Sequence, residues 1–93
     1  MPPELTIEYT VHIWQEGKQY IAHAMPLDVM SSGHTPEEAR KALDEAVKIF
    51  LRTLEDMNTT AEILQECGYE LIQGSWKSPP WVAIERHSAV VGL

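Results

Sequence analysis

From residue 5 onward, apolar Leu5, Ile7, Tyr9, Val11 and Ile13 alternate with polar Thr6, Glu8, Thr10 and His12. That period of two predicts one half-buried β-strand over residues 5–13. Glu16, Gly17 and Lys18 have turn composition, and residues 19–25 read as the antiparallel return strand of a hairpin. The pattern leaves its register open. A two-residue loop at Gly17 and Lys18 would turn Tyr20, Ala22 and Ala24 to the side of Val11 and Ile13, and would set His12 opposite His23 on the other face; a three-residue loop would turn Ile21, His23 and Met25 inward. Pro26 has no ladder donor and ends the return strand, after which residues 27–31 supply a short third strand before Gly33.

The run SSGHTPEEARKAL, residues 31–43, crowds two serines, a histidine and two glutamates together as a hydrolase might. Its spacing is that of a helix start. Thr35 is an N-cap, Pro36 fits the first helical position, and Glu38 stands three residues after the cap, completing a capping box. Ala39, Ala42, Leu43, Ala46, Val47, Phe50, Leu51 and Leu54 then recur at spacings of mostly three and four, predicting a long amphipathic helix over residues 36–55 that lies on the sheet. Its other face sets Glu37 before Lys41 and Asp44 before Lys48, pairs that each contribute roughly 0.2–0.5 kcal/mol.

A second box, Thr59 with Glu62, opens a two-turn helix carrying Ile63, Leu64 and Cys67, with Gly68 closing it. Residues 69–72 add a strand, residues 74–80 a loop, and residues 81–91 a final β-rich strand, so that residues 72–93 form an extended C-terminal arm or strand. The expected fold is α+β: one domain over residues 1–93, with a small, mainly antiparallel sheet. A three-strand meander and the C-terminal strand or strands build the sheet, one long helix packs on a face, and a second helix is short.

Composition fits a single modest core: 93 residues, 44% hydrophobic and 23% charged. No apolar run approaches the roughly 18 residues of a membrane span, and MPPELTIEYT lacks the basic and apolar regions of a leader. With one cysteine, Cys67, where a small secreted domain carries pairs, a cytoplasmic location is expected. The net charge of −7 divides into −3 over residues 1–35, −4 over residues 36–67 and zero over residues 68–93. No segment has the Lys/Arg patch that nucleic-acid phosphates require, so direct nucleic-acid binding is not expected. An acidic surface suits a basic partner instead.

No site for chemistry stands out. The loop into the long helix has a single glycine, Gly33, where a phosphate cradle needs several. His12, His23, His34, His87 and Cys67 show no metal-ligand spacing, so neither a metal nor a cofactor is expected. A nucleophile at Ser31 or Ser32 would need His34 and an orienting carboxylate, but Glu38 is taken by the cap and Glu37 by the helix dipole and Lys41. The aromatics are more informative. Trp14 lies on the polar side of the first strand, and Trp76 and Trp81 flank Pro79 and Pro80. Either they cap this chain's own core or they anchor an interface.

Taken together, WQEGKQYIAHAMPLDVMSSGHTPEEARKALDEAVKIFL, residues 14–51, resembles the core signature of HicB-type antitoxins. The likeness runs through the strand, turn and Tyr20 of the hairpin, the Leu27 and Asp28 step, the Gly33-x-Thr35 junction and the Glu37-Glu38-Ala39 helix opening; TAEILQECGYEL, residues 60–71, resembles the short helix, glycine and strand that follow. The resemblance implies a partial, degenerate RNase H-like fold without nuclease activity, since strand one offers Glu8 alone where a two-metal nuclease needs several carboxylates. It further implies a non-enzymatic antitoxin that neutralises a HicA-type toxin, a small basic mRNA-cleaving ribonuclease. A homo-oligomer, a dimer or tetramer, is expected through sheet edges and the segment of Pro79, Pro80 and the tryptophans. Trp14, Glu16, Tyr20, Asp28, Trp76 and Trp81 are the candidate partner or oligomer contacts. Relatives commonly add a DNA-binding module at the C-terminus; residues 68–93 have no basic helix, so operator binding is not expected of this segment. The alternative is a stand-alone oligomeric regulatory or small-ligand-binding domain with no toxin partner.

Overall fold

The computed structural model describes residues 5–92. Leu93, and the start of the N-terminal segment on which the leader expectation rests, lie outside the described residues. The chain is α+β, in the order β1 (Thr6–Ile7), β2 (Thr10–Glu16), β3 (Gln19–Met25), β4 (Val29–Gly33), α1 (Pro36–Asp56), α2 (Thr60–Glu66), β5 (Glu70–Ile72) and β6 (Ser75–Lys77). The strands form two sheets of three, β2-β3-β4 and β1-β6-β5, antiparallel throughout except that β1 runs parallel to β6.

The single first strand expected over residues 5–13 is therefore two. β3 offers ladder partners only as far as Met25, opposite Thr10, because Pro26 has no N–H with which to continue. Before Thr10 the backbone crosses to the other sheet: the Thr6 N–H donates to the Gly74 carbonyl at 3.1 Å and the Glu8 N–H to the Trp76 carbonyl at 3.3 Å. Two tyrosines fix the crossover. The Tyr69 hydroxyl donates to the Glu8 carbonyl at 2.6 Å, and the Tyr9 hydroxyl to Asp44 Oδ1 at 2.7 Å. Burial pushes both phenols up to about 12, with the Asp44 hydrogen bond and charge adding for Tyr9 and the neighbouring Cys67 and Glu8 for Tyr69.

The hairpin takes the two-residue loop: Glu16 faces Gln19 and His12 faces His23, with Gly17 at a φ of +60°. Ala22 and Ala24 thus turn toward α1, both fully buried. β4 starts two residues later than the expected strand at 27–31. Asp28 adopts a φ of +61° and donates its N–H to the Ala24 carbonyl at 2.8 Å, so Leu27 and Asp28 are spent on the turn. Leu27 drops into the core.

α1 begins as its sequence requires. Thr35 is extended and its Oγ1 accepts the Glu38 N–H at 3.0 Å. The Glu38 carboxylate reaches back to the His34 N–H at 2.9 Å, one residue upstream of the cap itself. A Cβ on Gly33 would lie 2.6 Å from the Ala39 nitrogen and 2.7 Å from Glu38 Cβ, so the end of β4 meets the helix at a distance only glycine permits. Ala39, Leu43, Val47 and Leu54 face inward and join Leu64, Tyr69 and Trp76 in one core. Leu43 and Leu64 are its largest fully buried side chains, each worth about 1.5–3 kcal/mol of burial.

Several expected polar contacts are not made. Neither Glu37 with Lys41 nor Asp44 with Lys48 closes into an ion pair; Asp44 serves Tyr9 instead, and among the described residues the lysine–carboxylate pair is Lys77 with Glu8 at 3.5 Å. The second capping box also fails to form. Thr59 has φ −121° and ψ 12°, not the extended geometry that aims Oγ1 at the helix, and its hydroxyl instead donates weakly to the Leu54 carbonyl at 3.5 Å. Gly68 closes α2 at a φ of +95° as expected. Residues 75–77, expected in a loop, are the central strand β6, which places Trp76 in the core. Residues 81–91, expected as a strand, have no ladder partner among the described residues: Pro79 and Pro80 offer no donors, and the chain beyond them extends away exposed.

Candidate protein-binding face

The register that buries Ala22 and Ala24 under α1 sends the intervening residues to the opposite side of the β2-β3-β4 sheet. There His12, His23 and Met30 lie in one row across the strands, and Trp14, Ile21 and Ser32 in the next. The Trp14 ring stands edge-on to His23, with centroids 6.2 Å apart, and its Nε1 donates to Glu16 Oε1 at 2.9 Å. His23 Nε2 lies 2.6 Å from Asp28 Oδ1. Trp81 arrives from 71 residues beyond Thr10, donates its Nε1 to Thr10 Oγ1 at 2.6 Å, and tilts over the His12 ring at 5.7 Å. Beneath it His12 Nε2 is buried without a hydrogen-bond partner among the described residues. An apolar groove of about 230 Å³, lined by Met25, Pro26, Pro79, Pro80 and Trp81, opens beside this contact.

Four of the six candidate contacts, Trp14, Glu16, Asp28 and Trp81, therefore share one face. Tyr20 does not: it pairs with Gln15 and Gly33 on the helix side and packs against the core. Trp76 is 5% exposed and belongs to the core. The result is a surface with an aromatic and thioether centre, where Met30 is exposed, and carboxylates of Glu16 and Asp28 at its rim. Apolar centres with polar rims are how protein interfaces are built.

The residues that resembled a hydrolase are dispersed. Ser31 pairs with Ala22 on the helix side and Ser32 points to the other face, while the Glu38 carboxylate is held by the His34 backbone. Burial, then the charges of Glu66 and Asp28, push the Cys67 thiol up, which keeps it protonated and a poor nucleophile. Among the described residues no three His, Cys, Asp or Glu side chains converge as a metal site requires. Among them, too, no helix is long and apolar enough to cross a membrane.

Sequence reasoning paired His12 with His23 but missed what covers them. The five-residue step from His23 to Asp28 around Pro26 is a local signal that could have found one contact. Nothing local connects Trp81 to His12. Comparison of the chain with family models, with curated proteins and with solved structures finds no match.

Proposed function

We propose that the protein is a cytoplasmic, non-enzymatic binding module of the HicB kind, an antitoxin that neutralises a small basic HicA-type ribonuclease by covering its RNA-binding surface. The observation that carries this reading is the outer sheet face, an aromatic centre around Trp14 and Trp81 with Glu16 and Asp28 beside it. Tryptophans anchored by hydrogen bonds at the centre of a patch are the usual source of binding energy. A ribonuclease that holds an RNA chain must present lysine and arginine to the phosphates, and a chain of net charge −7 attracts such a surface over a distance of about one Debye length, some 8 Å at physiological salt. The resemblance over residues 14–51 supports the same partner.

The test is co-expression with the product of an adjacent small basic reading frame. Co-purification and suppressed toxicity are expected, with both weakened in a Trp14→Ala, Asp28→Ala double variant. Unchanged toxicity with no co-purification refutes the reading. The apolar groove beside Trp81 favours a second one, a stand-alone oligomeric regulatory domain that takes a small apolar ligand and has no toxin partner.

A further inference from the structure

The chain exposes 7378 Å² of surface, whereas a compact monomer of 10.5 kDa exposes about 5,400 Å². Its radius of gyration is 15.9 Å, against about 12 Å for a compact chain of this length. Beyond Trp81 the chain runs extended to residue 92, with Val82 98%, Ile84 68%, Val90 100% and Val91 83% exposed. A β-branched, apolar segment that buries so little in its own fold lacks the packing that normally orders such residues.

We propose that residues 82–92 are an exchange arm, which adds as a strand to the open outer edge of β2 in a second copy of the chain. β2 is a seven-residue edge without proline or lysine to protect it, and it is longer than the other sheet edges, β4, β1 and β5. Pro79 and Pro80 stiffen the departure point and the Trp81 ring is pinned to Thr10 and His12, so the arm is aimed away from its own body. Charge permits the arm as the self-contact. Glu85 and Arg86 cancel within it, leaving the full −7 on the remainder, and β2 carries only the charge of Glu16, so a neutral arm meets an edge with a single carboxylate and two acidic chains join without opposing their charged surfaces.

The area is sufficient. Burying half of the roughly 2,000 Å² excess on each copy would give an interface of about 2,000 Å², the lower end of the obligate-dimer range. A two-fold axis gives each β2 edge one arm and leaves none over, which closes the assembly without a fibre. The groove at Met25, Pro26 and Trp81 then receives an apolar side chain of the incoming arm.

This inference does not depend on the toxin reading, because it is measured on the protein alone. Light scattering on the full chain should give twice 10.5 kDa. An Ile84→Asp, Val90→Asp double variant should give half that mass with its far-UV circular dichroism unchanged, while Ile49→Asp, on the exposed face of α1, stays dimeric. A parent of single-chain mass, an arm variant that remains dimeric or loses its helical signal, or a dimer broken by Ile49→Asp overturns the proposal.

Discussion

Gly33→Ala isolates the contact on which the helix and the meander depend. The added methyl would stand 2.6 Å from the Ala39 nitrogen, 2.7 Å from Glu38 Cβ and 2.9 Å from the Glu38 carbonyl carbon, and two of these atoms are backbone. No rotamer change relieves that. Reaching an ordinary separation of 3.4 Å needs a shift of about 0.8 Å at the start of α1. That shift strains the Thr35 cap and lifts Ala39, which is fully buried, off the sheet. Overpacking of this kind costs about 1–3 kcal/mol, and loss of the cap adds about 1 kcal/mol. The total is then about 2–4 kcal/mol, and at about 4–8 °C per kcal/mol for a domain of this size the melting temperature should fall by about 8–32 °C. Urea unfolding should show a lower midpoint at unchanged slope. Gly92→Ala, which meets nothing within 4 Å, is the control and should not move the melt. A Gly33→Ala melt within about 2 °C of the parent, equivalent to no more than about 0.5 kcal/mol, refutes the close approach.

The two capping threonines should differ: Thr35→Ala costs about 1 kcal/mol, while Thr59→Ala, which loses no side-chain cap, costs less than about 0.5 kcal/mol, both read by chemical unfolding. Trp76→Ala should cost about 3–5 kcal/mol and leave little folded protein, whereas Trp81→Ala should keep the native circular dichroism and expose His12 to faster modification by diethyl pyrocarbonate. Both Tyr9 and Tyr69 have phenols raised from 10 to about 12 in the fold, so the unfolded chain ionises first. Stability should hold steady up to pH 10 and fall between pH 10 and 12. The slope is at most about 1.4 kcal/mol per pH unit for each tyrosine, less for Tyr9, which solvent partly screens; Tyr9→Phe should make the fall shallower.

What the sequence determined was local. The Thr35-Pro36-Glu38 start, the apolar stripe of α1 and Gly68 at the end of α2 each follow from backbone and side-chain preferences acting within a few residues, and each appears where those preferences place it; the period of two in residues 5–13 marked the segment as β without marking its break at Glu8 and Tyr9. They also carried the α+β class. The tertiary structure decided whatever depends on a partner remote in the chain. A strand pattern states that a segment can pair but not with which edge, so the first strand divides between two sheets, residues 75–77 become a central strand, and residues 81–91 join no ladder among the described residues. Trp76 and Trp81 stand five residues apart with similar local surroundings, yet one is core and the other lies on His12 across the sheet. That difference is set by where β6 and the Pro79-Pro80 step deliver them, because burial is a property of the assembled layers and not of the residues that enter them.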